Sequence, residues 1–398
     1  MSAASPAPSN VIDPVELTRD LIRRPSVTPA DEGAMDVIER VLTGLGFTCR
    51  RLAFEGPGGE GQHARIENLY ARLGNASSNL CFAGHTDVVP TGNLTAWSAQ
   101  PFEAEVIDGV LYGRGAVDMK GGIGAWIAAV SRVLTEGEPK GSLSFLITGD
   151  EEGPALHGTK RVVQTLMEEG EVIDACVVGE PSSQQVLGDC IKIGRRGSLN
   201  TWITVHGKQG HVAYPERAAN PVPVLARLMA RLADHRLDEG YEAFQPSNLE
   251  LTTMDVGNTA TNLIPAEATG RLNIRFNPAQ TGEGLMTWLN QEAGQAQADS
   301  GLRIDVEHLH SGDAFLTEPG PFVKAVQDAV EGVLGRRPEA STTGGTSDAR
   351  FIRALCPVLE LGLVGQTMHQ IDERVPVAEL EALTGVYEAV IKRVLARV

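Results

Sequence analysis

A chain of 398 residues with 51 acidic against 34 basic side chains carries a formal charge of −17, so nucleic acid and anionic membrane surfaces would repel it and both are excluded as expected partners. No apolar run approaches the ~20 residues that span a bilayer, and residues 1–14 lack a basic start followed by an apolar stretch, which leaves a cytoplasmic enzyme of about two domains as the expectation. The five cysteines, Cys49, Cys81, Cys176, Cys190 and Cys356, are unclustered and mostly set among apolar residues, as reduced core thiols would be.

Apart from a glycine-rich tract at 56–61, the first half of the chain alternates short apolar runs with helical stretches. Residues 80–83 are the first run of the kind a doubly covered sheet buries, followed by a predicted helix over 122–134, a run at 142–147, a helix over 159–167 and a run at 175–178. Strand, helix, strand in this order implies a mainly parallel sheet whose carboxyl edge gathers the residues after each strand. After about Gly194 the pattern changes. Longer strands at 198–205, 248–256 and 269–276, with helices over 221–233 and 281–293, predict two helices on a small antiparallel sheet. The α/β pattern returns at Phe322 with a helix to Leu334, a Gly-Gly-Thr turn, a helix starting near Ser347, a strand at 358–361 and a closing helix from Val377. The expectation is therefore a discontinuous catalytic domain of residues 1–196 and 312–398, α/β with a mainly parallel doubly covered sheet, interrupted by an α+β domain over 197–311.

Acidic residues and histidines stand where the apolar runs break off: His85 and Asp87 in Gly84-His85-Thr86-Asp87, Glu151-Glu152 after Asp150, and Glu180 in Gly179-Glu180-Pro181, joined by Asp118 and, far downstream, His369. Imidazole and carboxylate ligands suit Zn²⁺ or a similar divalent ion, and an Asp between two His/Glu sets can bridge two ions roughly 3.5 Å apart, which points to a hydrolase. Taken singly, His85 reads as a turn histidine, Asp-Glu-Glu as a solvated helix start and Gly-Glu-Pro as a turn. His63, His157, His206, His235, His308 and His310 lack comparable context and are assigned to surface or packing roles.

The segments Gly84-His85-Thr86-Asp87-Val88-Val89-Pro90, Gly113-Arg114-Gly115 through Asp118-Met119-Lys120-Gly121, Gly179-Glu180-Pro181-Ser182-Ser183, Gly194-Arg195-Arg196-Gly197-Ser198, Gln209-Gly210-His211-Val212-Ala213-Tyr214-Pro215 and Gly344-Gly345-Thr346-Ser347-Asp348-Ala349-Arg350 resemble the co-catalytic dizinc aminoacylase and carboxypeptidase family, from the first helix to the last. The His-x-Asp and Asp-Glu-Glu segments are shared across that family; the Gly-Glu-Pro-Ser-Ser, Gly-Arg-Arg-Gly-Ser and Gly-Gly-Thr-Ser-Asp segments point to its succinyl-removing branch.

The resemblance implies two divalent ions per subunit, Zn²⁺ first and Co²⁺ as the alternative, with His85 and Glu180 on one, Glu152 and His369 on the other, and Asp118 bridging through a residue whose following peptide is cis. It implies that Asp87 accepts the second ring N–H of His85, that Glu151 is the general base, and that the chain is a homodimer in which His211 and Asn262 of the inserted domain enter the neighbouring active site. A small-molecule substrate with carboxylates at both ends would meet Arg195, Ser198, Tyr214, Asn262, Arg275, Gly345 and Thr346, with guanidinium forks gripping carboxylates and the helix near Ser347 turning its N-terminus to an anion. Gly365 stands where this branch usually carries Asn, and Thr343 where a run of three glycines normally begins. Acetylornithine deacetylases and dipeptidase-like carboxypeptidases share the metal set but need no second carboxylate pocket; a non-catalytic binding relative would keep the fold without turnover.

Overall fold

The structure, a computed structural model, describes residues 11–57, 63–137 and 139–396; most of the glycine-rich tract at 56–61 lies outside them. The chain divides into two compact units, one of Met1–Ile193, Thr317–Ser341 and Ser347–Val398, the other of Gly194–Leu316 with Thr342–Thr346. Gly194–Arg195 pairs with Phe315–Leu316, so the second unit begins a few residues before, and ends a few after, the expected junctions at 197 and 311.

The first unit is built on an eight-stranded sheet in the order Thr48–Pro57, His63–Leu73, Ser142–Thr148, Asn79–His85, Ala175–Val178, Val358–Glu360, Cys190–Lys192, Glu339–Ser341. Its centre is parallel, and an antiparallel hairpin forms one edge. Every residue of Asn79–His85, Ser142–Thr148 and Ala175–Val178 is buried, as continuous apolar runs require when helices cover both faces. The helix Lys120–Thr135 is buried along nearly its whole length and packs against Pro14–Ile22 and Val377–Leu395. Between sheet and helix, Phe82 stacks on Trp126 at 4.8 Å between ring centroids while Tyr387 meets Trp126 edge-on. All five cysteines are free; Cys81, Cys176, Cys190 and Cys356 are buried and Cys49 half-buried. Among the described residues no helix is long and apolar enough to cross a membrane.

The second unit is a four-stranded antiparallel sheet, Asn248–Asp255, Glu267–Phe276, Gly197–His206 and Ile304–Gly312 in spatial order, packed on Val222–Ala233 and Gly282–Ser300 through Leu225, Leu228, Leu272, Ile274 and Leu289. The Ile304–Gly312 strand escaped sequence reading because it lies at an edge and mixes Asp305, Glu307, His308 and His310 with its apolar positions. The helix Gly282–Ser300 runs past the expected 293 to a left-handed Gly301, a common stop. The helix expected near Ser347 is one turn, Ala349–Ile352. Four residues align too few peptide dipoles to hold an anion, so that part of the expectation is withdrawn.

Candidate metal centre

The strand Asn79–His85 delivers His85 to the carboxyl edge of the sheet with its ring almost fully buried. Its Nε2 lies 3.2 Å from Asp118 Oδ1 and 3.6 Å from Glu180 Oε1. The other Asp118 oxygen, Oδ2, lies 3.2 Å from His369 Nε2, which is itself 2.8 Å from Glu152 Oε1. Two triads, His85–Asp118–Glu180 and Asp118–Glu152–His369, thus share one carboxylate through different oxygens, each with its ligand atoms within 4.8 Å of one another. Donors on a tetrahedral Zn²⁺ at about 2.1 Å stand about 3.4 Å apart, close to the spacing here. His85, Glu151 and Glu152 form a third group of the same size.

Local sequence explains how these residues reach one point. Gly84 and Gly179 flank the Met119 side chain, where a Cβ on either would come within 2.7 Å of Met119 Cε; at Gly179 a Cβ would also stand 2.5 Å from the rigid Phe82 ring, so glycine there lets the strand end close on the residue after Asp118. The Asp118–Met119 peptide is cis, as the resemblance implied. The Asp150 carboxylate accepts the Ala155 and His157 N–H groups and rolls up the loop that presents Glu151 and Glu152.

Asp87 departs from its expected contact. His85 Nδ1 sits 2.8 Å from the Asp87 backbone carbonyl and 3.7 Å from its carboxylate. The carboxylate instead accepts the N–H groups of Glu151 at 3.2 Å and Glu152 at 3.0 Å. A buried carboxylate two residues beyond a ligand can serve either; here the two unpaired backbone donors of the acidic loop take it and the nearer carbonyl takes the ring.

Five carboxylates, Asp87, Asp118, Glu151, Glu152 and Glu180, face two imidazoles in this cluster. Burial pushes the Glu151 and Glu180 carboxyls well above the usual range, and neighbouring carboxylates add to it. Burial also raises Asp87, to about 6. Asp118 is held low despite burial because hydrogen bonds from His369 and His85 favour its charge, and the bond to Asp118, then that to Glu152, pushes His369 up to about 10. Such an excess of buried negative charge suits divalent cations, and the donor set fits them.

Sequence reading passed over Glu373 and gave Arg114 no role. Glu373 is fully buried, its carboxylate receives the Gly115, Val117 and Asp118 N–H groups, and Arg114 Nη1 lies 2.7 Å from it. An acid four residues after a ligand in a polar stretch reads as solvated surface; the only cue was its closeness to His369.

In the second unit, Arg195 is buried and donates to the Thr343 carbonyl at 3.0 Å. Gly344, at φ +111°, leaves room for that guanidinium: a Cβ there would stand 2.2 Å from Arg195 Nη1. Gly345 and Thr346 belong to the same short segment, Thr342–Thr346, of this unit. Ser198 lies opposite Arg275 in register and accepts a hydrogen bond from Asn273. His211 and Tyr214 are exposed with ring centroids 5.8 Å apart, and exposed Asn262 accepts the Val212 N–H on the strand pairing beside them. His206, His308 and His235 are engaged by Asp305, Thr201 and Trp288 respectively, and the His157 ring fills the gap over Gly56; the His63 side chain lies outside the described residues. Gly365, in the turn Gly365–Thr367, donates to the Ser183 carbonyl.

The chain belongs to the peptidase family M20/M25/M40, whose model matches residues 81–393. It is 62% identical over 388 residues to the succinyl-diaminopimelate desuccinylase of Phenylobacterium zucineum, covering 98% of this chain and all of that one, and 54% identical over 387 residues to the enzyme of that name from Bradyrhizobium, covering 96% and 100%. In fold it resembles a metallo-carboxypeptidase of the M20 family from Sulfolobus solfataricus, with a TM-score of 0.79 at 18% identity over 96% of this chain and 99% of that one. A dinuclear metal-binding peptidase of the M20 family from Bacillus subtilis matches with a TM-score of 0.71 at 15% identity, over 97% and 98%.

Proposed function

We propose that this chain hydrolyses the succinyl amide of N-succinyl-LL-2,6-diaminopimelate to succinate and LL-2,6-diaminopimelate, a cytoplasmic step toward lysine and cell-wall peptides. The observation that carries the reading is the Asp118 carboxylate, one oxygen beside each of two His/Glu sets, in a chain so similar to enzymes bearing that name. His85 and Glu180 would hold one divalent ion and Glu152 and His369 the other, with Asp118 offering one oxygen to each. Zn²⁺ suits these donors best, with Co²⁺ as the alternative. When bound, such ions lower the pKa of water and polarise the amide carbonyl.

Glu151 takes the proton of the attacking water and returns it to the leaving amine; the Asp87 carboxylate fixes the peptide on which Glu151 stands. Arg195 and Arg275 grip the substrate carboxylates, assisted by Ser198, Tyr214, Thr346 and the Gly345 N–H. Residues 197–311 serve as a dimerisation and lid domain, and His211 and Asn262 enter the neighbouring subunit's site, where His211 donates to the developing oxyanion. Two features support that arrangement: His211, Tyr214 and Asn262 are exposed together, and Trp202, Met254 and Leu309 leave apolar surface on the same unit.

Steady-state hydrolysis tests the proposal. Protein reconstituted with Zn²⁺ or Co²⁺ is expected to prefer the succinyl substrate over N-acetylornithine by roughly 10²-fold or more in kcat/KM, because an acyl group without a carboxylate leaves its pocket unpaired. Cleavage of acetylornithine without cleavage of the succinyl substrate would overturn it.

A further inference from the structure

Arg114 and Glu373 form an ion pair with almost no solvent exposure, Nη1 to Oε2 at 2.7 Å. Burying both charges costs desolvation that their attraction only partly offsets, so stability alone is a weak reason for such a pair. The remaining bonds show what it grips. Glu373 Oε1 accepts the N–H groups of Val117 at 2.9 Å and Asp118 at 3.1 Å, and Oε2 accepts that of Gly115 at 3.0 Å. With the guanidinium, all four acceptor positions of the carboxylate are used, three of them by the backbone that carries Asp118.

Arg114 reaches the other way. Its Nη1 also donates to the Gln370 carbonyl at 3.1 Å, and its Nη2 to the carbonyls of Pro90 at 3.3 Å and His369 at 3.5 Å, while the guanidinium lies 5.3 Å over the Trp97 ring. Each loop thus supplies the residue that holds the other. The His369 loop needs holding, because His369 and Asp372 both adopt left-handed backbone, at φ +60° and +59°, a region non-glycine residues keep only where their surroundings impose it. The Asp372 carboxylate adds a second pin through the Ser98 N–H and hydroxyl, each at 2.7 Å.

We propose that Glu373 and Arg114 are positioning residues: a buried crossed clamp that sets Asp118 and His369 at the separation needed for the ion they share with Glu152. This rests on the two-ion reading above. The clamp touches neither substrate nor ion, so its effect passes through ion affinity: most strongly at the ion of Glu152 and His369, where both held residues are ligands, and less at the other, which it reaches through Asp118 alone.

The test measures Zn²⁺ binding to the full-length protein by calorimetry with chelator competition, beside metal content, kcat and KM. Glu373→Gln puts an amide donor where either the Gly115 N–H and the guanidinium, or the Val117 and Asp118 N–H groups, must face it. The ion of Glu152 and His369 is expected to bind about 10–100-fold less tightly, as when partners that orient ligands are lost. The other ion, which depends on the clamp through Asp118 alone, weakens less, KM stays near its original value, and added Zn²⁺ restores part of kcat. Arg114→Lys keeps the charge but cannot reach all three carbonyls, and should weaken the same ion. Two ions bound with unchanged affinity in a variant that has only lost thermal stability would overturn the clamp, and so would failure of both variants to fold, which would make the pair a folding element. Fewer than two ions on the unaltered protein would overturn the two-ion reading itself.

Discussion

Replacing Glu151 with glutamine is expected to leave two ions bound and to remove nearly all turnover. The substitution keeps size and shape, and the Glu151 N–H that meets Asp87 belongs to the backbone and is untouched. What is lost is the base. General-base assistance is typically worth ~10²–10⁴-fold, and a group that also returns the proton to the leaving amine falls at or above the upper end. Metal analysis of the purified variant beside its kcat makes the check, because Glu151 and Glu152 are adjacent and both lie within reach of the cluster around His85. Loss of a metal together with activity would mean that their roles are exchanged.

His211→Ala is expected to cost ~10²–10³-fold in kcat with metal content unchanged, the usual loss for one oxyanion donor. The informative version mixes two inactive proteins, Glu151→Ala and His211→Ala, under conditions that permit subunit exchange. If His211 serves the neighbouring subunit, each heterodimer has one site with both residues intact and part of the activity returns. No recovery despite demonstrated exchange would mean that His211 acts on its own subunit or not at all.

Most of the residues brought together around Asp118 were legible in the sequence because they follow a feature with a physical signature. His85, Glu151-Glu152 and Glu180 come directly or nearly directly after apolar runs, and a parallel sheet collects strand ends at one edge. His369 has no such strand before it; it follows a turn, and the family resemblance rather than periodicity singled it out. The Asp87 contact was read incorrectly because a motif names neighbours along the chain, whereas the loop of Glu151 and Glu152 that competes for its carboxylate comes more than sixty positions later. Glu373 and Arg114 were invisible as a pair for the same reason: each looks like a charged surface residue until the fold buries it against the other. The Ile304–Gly312 strand shows a different limit, since its partner faces it only once the insertion has folded.

The most direct measurement is anomalous diffraction at the zinc edge from a Zn²⁺-loaded crystal. The account predicts two peaks roughly 3.5 Å apart, one on each side of the Asp118 carboxylate. His85 and Glu180 should ligate one, Glu152 and His369 the other, with the Glu151 carboxylate off both. A single peak under saturating Zn²⁺, or a pair of peaks in which Glu151 replaces Asp118 or Glu152 as ligand, would contradict it.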